Sequence, residues 1–369
     1  MATASALVHG GVAAALQAEE ETAAAAAPQW PAALAERYER LEKLGEGMFG
    51  DVYRAWDRVG RRFVAVKRLA GRAGGGFVET CARDFAREAA SLAACRGHPS
   101  VVELLAAHAA ADGGAGVDRF LVTECAGPTN LRQYMDLRRR EGRLPFDEAE
   151  VRDAMRQLLA GAEAEHAAGV LHREIVPENV TVDAIAGGGA AVEKKVVYKI
   201  CGFGMSEPAA EKDVDGDGML ASPGPYRAPE LFLGSKDYDG RVDTWALGCI
   251  MAELLAGAGG APFFGGETDA EVLEKMLRVV GARGIVKWPG LERVAGQERA
   301  ARLRKMFRRD GGHLREVFPK EVLSPEGFEV LSGLLRSDPD SRLTAAAALR
   351  MPWFRRRRGF GGCFRGAAS

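Results

Sequence analysis

The sequence predicts an α+β fold in two lobes, a small β-rich one followed by a larger helical one. Two observations carry this. Over residues 38–125 apolar and polar side chains largely alternate between glycine-rich turns, the period of half-buried strands. After Pro128 the apolar residues recur three and four apart, the spacing of amphipathic helices, over 131–140, 146–168, 242–256, 270–280, 325–336 and 344–349. A run of strands followed by a run of helices is the pattern of segregated α+β architecture.

In chain order, residues 1–37 are an alanine-rich, low-complexity extension broken by Pro28 and Pro31, and are expected to be disordered. Strands are predicted at 41–44, 51–56 and 62–69. Gly71 and Gly74 to Gly76 then mark a loop. Phe85, Ala89, Leu92 and Ala93 share one helical face, which predicts a helix over 83–95. Strand-like stretches at 101–108 and 120–125 flank a loop at 112–116. The expected domains are a small lobe at 38–126, a large lobe at 127–354 and a basic, glycine-rich tail at 355–369.

Composition narrows the function classes. The 369 residues carry 50 Lys+Arg against 51 Asp+Glu, a formal net charge of −1. A chain so balanced is not built to neutralise nucleic-acid phosphates or an anionic membrane. No apolar run reaches the ~18 residues that span a bilayer. Glu19, Glu20 and Glu21 argue against a secretory or organellar leader, so a nuclear or cytoplasmic location is expected. The six cysteines form no C-x-x-C pair, which fits a reducing compartment. The 46 glycines are a surplus that composition alone divides between linkers and close backbone approaches.

Motifs sharpen the reading. Leu44 leads into Gly45-Glu46-Gly47-Met48-Phe49-Gly50-Asp51-Val52, a G-x-G-x-x-G-x-V between two strands. Its backbone N–H groups can close over phosphates, and the strand that follows excludes the dinucleotide fold, which needs a helix there. Val64-Ala65-Val66-Lys67 ends a strand on a lysine, and Glu88 on the next helix faces the sheet if Phe85 and Leu92 are buried. Later come Leu171-His172-Arg173-Glu174-Ile175-Val176-Pro177-Glu178-Asn179, Cys201-Gly202-Phe203-Gly204, Tyr226-Arg227-Ala228-Pro229-Glu230, Asp243-Thr244-Trp245 and Asp338-Pro339-Asp340-Ser341-Arg342.

In this order the motifs resemble a eukaryotic serine/threonine protein kinase over about residues 38–354. Trp288-Pro289-Gly290 and the Y-R-A-P-E segment are most similar to the cyclin-dependent group. The resemblance implies ATP in the cleft, a hinge at Glu124-Cys125-Ala126, Thr123 as gatekeeper, and cofactor contacts from residues 44–52, Ala65, Lys67 and Glu88. It also implies a Glu230–Arg342 pair, Asp243 bracing the catalytic loop, and a protein substrate or scaffold partner.

The chain departs from that family where the chemistry lies. Phosphoryl transfer needs a positioned carboxylate, metal ions on the phosphates and a cation at the transferring group. The family's catalytic aspartate is Glu174 here, still a proton-acceptor position, and its nearby lysine is Val176. The metal-binding aspartate is Gly202, which leaves Asn179 as the expected ligand and magnesium weak or absent. Such a pattern predicts a kinase fold with impaired catalysis, or an active enzyme in which Glu174 serves as base. Arg173 lacks a phosphothreonine partner, and Asp215 or Asp217 is the expected stand-in. The helix around Glu88 shares little else with the family's cyclin-binding helix, so a cyclin is the weaker partner expectation. Asp213 to Gly218 opens like a calcium loop but has Gly224 at the twelfth position, which favours a solvated acidic loop.

Overall fold

The computed structural model describes residues 30–47, 50–69, 77–111, 117–185, 195–210, 224–257, 260–308 and 311–355. Met48, Phe49, Asp213 to Gly218 (with Asp215 and Asp217) and the tail from residue 356 lie outside these residues, so the expectations placed on them are untouched.

Five strands form the small lobe: β1 (Tyr38–Gly47), β2 (Gly50–Asp57), β3 (Arg62–Leu69), β4 (Leu104–Ala111) and β5 (Val117–Glu124). They order as β1-β2-β3-β5-β4, with antiparallel neighbours throughout. Because side chains alternate across a strand, Tyr53 and Ala55 share one buried face with Val64, Val66, Phe120 and Val122. Ala65 and Lys67 therefore face the other way.

The extension was expected to be unstructured through residue 37, and its last eight residues correct that. Helix α1 (Ala32–Arg37) buries Leu34 against the sheet face just described. Trp30, only 8% exposed, meets Tyr53 and Phe120 edge-on at 6.1 and 6.2 Å. Arg37 closes a two-pronged bond on Asp57 at 3.0 and 3.1 Å, which holds that carboxyl down at about 2. The physical reason is burial: one indole covers enough apolar area to order a short segment, whatever the alanines around it prefer.

Helix α2 (Phe77–Ala94) starts earlier than the spacing predicts and buries Leu92. In the large lobe, β6 (Thr129–Asn130) leads into α3 (Leu131–Arg140), and α4 (Glu148–Ala167) follows. Both helices begin with a reciprocal capping box, Asn130 with Gln133 and Asp147 with Glu150, which fixes their first turns. After β7 (Val170–Leu171) comes a hairpin of β8 (Val180–Ile185) and β9 (Lys195–Ile200), which the helical reading of this half misses. Strand β10 (Glu207–Pro208) pairs back onto β7. Beyond it lie α5 (Pro229–Phe232), α6 (Arg241–Ala256) and α7 (Asp269–Val280). Helix α6 is buried from Val242 to Leu255, as a helix apolar all round must be, and it is the post on which the catalytic loop rests. Glu230 and Arg342, at 2% and 0% side-chain exposure, make two parallel bonds of 2.7 Å beside it. Among the described residues no helix is long and apolar enough to cross a membrane.

Candidate active site

The small lobe supplies a cation held by a carboxylate. Strand alternation puts Lys67 on the face away from the Val64–Val66 core, and α2 brings Glu88 to meet it. The ammonium bonds both carboxylate oxygens, at 2.7 and 2.8 Å, with Glu88 almost wholly buried. Two short charge-assisted bonds fix the lysine tip where a phosphate would meet it.

The glycine-rich motif is the hairpin between β1 and β2, with Gly47 opposite Gly50 and Gly45 opposite Val52. Its glycines differ in purpose. Gly50 has φ +122°, and a Cβ there would run into the Arg68 carbonyl, whose carbon would lie 3.0 Å away. That glycine serves the close approach of β3. Gly45 has open space around it, which leaves room for a ligand. The side chains of Glu46 and Asp51 both turn to Lys43, at 2.8 Å each, so only their backbone is left for phosphates. Leu44 is 43% exposed.

At the hinge, Ala65 lies opposite Thr123 and Val64 opposite Glu124. The Glu124 carboxylate accepts from the Glu103 N–H at 2.9 Å and from Lys199 at 2.6 Å, and Ala126 packs on the large core. Glu124 thus braces the lobe junction with its side chain, and its own N–H is given to the Glu103 carbonyl at 3.0 Å. Lys199 is a partner that the motifs do not announce.

The catalytic loop hangs from Asp243 at the start of α6. Its carboxylate accepts the backbone N–H of His172 at 3.0 Å and of Arg173 at 2.7 Å, and bonds the His166 ring at 2.9 Å. Burial alone would raise this carboxyl, but those bonds outweigh it and hold it low. His172 is fully buried, and burial lowers its pKa, so the ring is neutral. Its Nε2 donates to the Cys201 carbonyl at 3.0 Å while Nδ1 accepts the Glu174 N–H at 3.2 Å. The ring also meets Phe203 edge-on at 4.7 Å.

Glu174, Asn179 and Gly202 converge at the reacting centre. The Glu174 carboxyl is pushed up by burial, against the pull of Lys67 and a bond from Asn179. Asn179 also donates to the Glu174 carbonyl at 2.9 Å. Gly202 is left-handed (φ 80°, ψ 50°), and a Cβ on it would lie 2.5 Å from the Asn179 Cγ and 2.8 Å from its Nδ2. Val176 is buried in the hydrophobic core.

Arg173 has a partner that sequence reasoning did not name. Its guanidinium meets Glu207 at 2.8 Å, the Tyr238 hydroxyl at 3.1 Å and the Met205 carbonyl at 2.7 Å. The one signal for it was an acid five residues past Gly202.

The residues present fit a nucleotide: a positioned cation and open space beside Gly45. They do not fit a two-ligand clamp for a divalent ion, since position 202 has no donor and the Asn179 amide leans over it. Among the described residues no group of three or more His, Cys, Asp or Glu side chains is arranged for a metal.

Two lobes joined by this hinge, with a lysine–glutamate pair above a histidine-led loop, define a phosphotransferase architecture. Residues 38–354 match the protein kinase domain family, and the chain belongs to it. It is a cyclin-dependent-kinase-like member of the eukaryotic serine/threonine kinases. It is 48% identical over 324 residues to putative cyclin-dependent kinase F-2 of Oryza sativa subsp. japonica, covering 86% of this chain and 90% of that one. Cyclin-dependent kinase G-2 of Oryza sativa subsp. indica is 32% identical over 327 residues, 87% of this chain but 42% of that protein. Cell division control protein 2 homolog 1 of Trypanosoma brucei brucei is 32% identical over 86% of this chain and 98% of its own length.

Proposed function

We propose that this protein binds ATP in its cleft, has lost most phosphoryl transfer, and acts on a protein partner as a scaffold or allosteric subunit. The observation that carries the reading is Gly202. A kinase holds its metal with an acid at that position, and here there is no side chain, with Asn179 leaning into the room. Val176 removes a second charge, because a buried apolar side chain stands where the family keeps a lysine. The extra methylene of Glu174 moves its carboxylate by on the order of 1 Å, enough to cost about a hundredfold in rate. Cyclin dependence, which the relatives' names carry, ranks below other protein partners, since α2 keeps Glu88 and little else of the family's cyclin-binding helix.

A second reading, weak residual transfer, is favoured by the intact Lys67–Glu88 pair and the retained Glu174 carboxyl. One experiment separates the two. ATP is titrated with and without magnesium while thermal stability and phosphate incorporation into a generic protein substrate are followed. Stabilisation by ATP that is equal with and without magnesium, and no incorporation, is the expected result. Magnesium-dependent stabilisation together with incorporation abolished by Lys67→Met would establish the active reading instead.

A further inference from the structure

We infer that Glu207 is the built-in counter-ion of Arg173, seating the segment Phe203–Pro208 on the catalytic loop without any added phosphate. This concerns the standing conformation of the loop and holds whether or not transfer survives.

The Arg173 backbone is left-handed at φ 66°, unusual for a residue with a side chain, so the surroundings must hold it there. They do so from both ends. The N–H donates to Asp243, and the guanidinium spreads over Glu207, Tyr238 and the Met205 carbonyl. Tyr238 closes the ring by donating to the second Glu207 oxygen at 2.7 Å. Glu207 is 3% exposed. A charge pair out of water is stable only when its remaining bonding capacity is met, and here each oxygen of the carboxylate has a partner.

The backbone is fastened in the same place. Glu207 pairs with Leu171 in the β7–β10 ladder, the Ser206 hydroxyl donates to the Phe203 carbonyl at 2.7 Å, and Arg87 on α2 donates to the Gly204 carbonyl at 3.1 Å. The chain therefore supplies covalently, at residue 207, the anion that a modified hydroxyl would otherwise bring to Arg173.

Hydrogen exchange on unphosphorylated protein, verified by intact mass, tests this directly. Amides of residues 203–208 and 170–174 are expected to be protected in the parent. Glu207→Gln, which keeps the shape and removes the charge, is expected to speed their exchange by on the order of 100-fold, while α7 is unchanged. In a double-mutant cycle with Arg173→Met, the second substitution is expected to add little to the first, since the two remove one interaction. Tyr238→Phe is expected to give a smaller increase. A parent segment that exchanges rapidly until it is phosphorylated, or additive effects of the 173 and 207 substitutions, would overturn the assignment.

Discussion

The side chain of Asn179 lies against the α-carbon of Gly202, so that a Cβ there would stand 2.5 Å from the asparagine Cγ. The amide and the missing acid are thus a matched pair: one has taken the room that the other would fill. Its backbone conformation compounds this, because φ 80° is open to glycine and costs about 1–2 kcal/mol for an ordinary L-residue. Gly202→Ala is therefore expected to lose about 2 kcal/mol of stability, read from the midpoint of a urea titration. Glycine to aspartate meets the same asparagine with its Cβ, and should not create magnesium-dependent ATP binding unless Asn179 moves aside. An alanine variant as stable as the parent would show that Asn179 yields freely.

Much of this was legible in the sequence, for reasons that differ by element. The order of short motifs pointed to the lobes, the Lys67–Glu88 pair and the Asp243 brace, because each motif keeps its chemistry in a few adjacent residues. Trp30 was not legible: a single aromatic in an alanine-rich stretch has no period, and its burial depends on a sheet face assembled from residues 53–122. The β8–β9 hairpin was also lost, since its strands are stabilised by β6 and α4 and not by alternation alone. Glu207 pairs with Arg173 and Lys199 with Glu124 across 34 and 75 residues of chain, and no local pattern encodes such pairs.

Lys67 and Glu88 are both largely shielded, with side chains 16% and 5% exposed. Removing Lys67 takes away the cation that both oxygens of the buried Glu88 carboxylate bond, which costs on the order of 3 kcal/mol. Lys67→Met is thus expected to lower stability by that amount and to abolish the thermal stabilisation given by ATP. Glu88→Gln should weaken ATP stabilisation less, because the lysine itself remains. Unchanged ATP stabilisation in the methionine variant would move the nucleotide away from Lys67.

Glu165 on α4 is fully buried with neither oxygen hydrogen-bonded within the described residues, and burial raises its pKa well above normal, with Asp243 adding repulsion. The thiol of Cys95 nearby is pushed up to about 12, by burial first and then by Glu165. A carboxyl that stays protonated when folded but ionises near 4.5 when unfolded favours the folded state only at low pH. Its contribution is complete below the unfolded value and is lost as pH rises towards the folded one. Stability measured by urea should therefore fall as pH rises above the unfolded value near 4.5, by up to ~1.4 kcal/mol per unit from this group. Glu165→Leu should remove that part of the slope and gain about 2 kcal/mol at neutral pH. A slope unchanged in the leucine variant would place its origin elsewhere.

The kinase-family match begins at Tyr38, yet Trp30 and Leu34 bury against Tyr53 and Phe120 on the sheet face opposite Lys67. Cutting the chain at the family boundary would uncover those rings and free Asp57 from Arg37. A chain beginning at Tyr38 is therefore expected to melt several degrees below one beginning at Gln29 and to associate through the bared aromatic face. Trp30→Ala in the full chain should lose about 3 kcal/mol, near the lower end for a buried tryptophan because its indole sits at the edge of the core. Because β3 carries Val66 under the cap and Lys67 over the cleft, the same substitution should also reduce the stabilisation given by ATP. Equal melting temperatures for the two chain lengths would mean that the sheet holds its register without the cap, and the family boundary would then be the structural one.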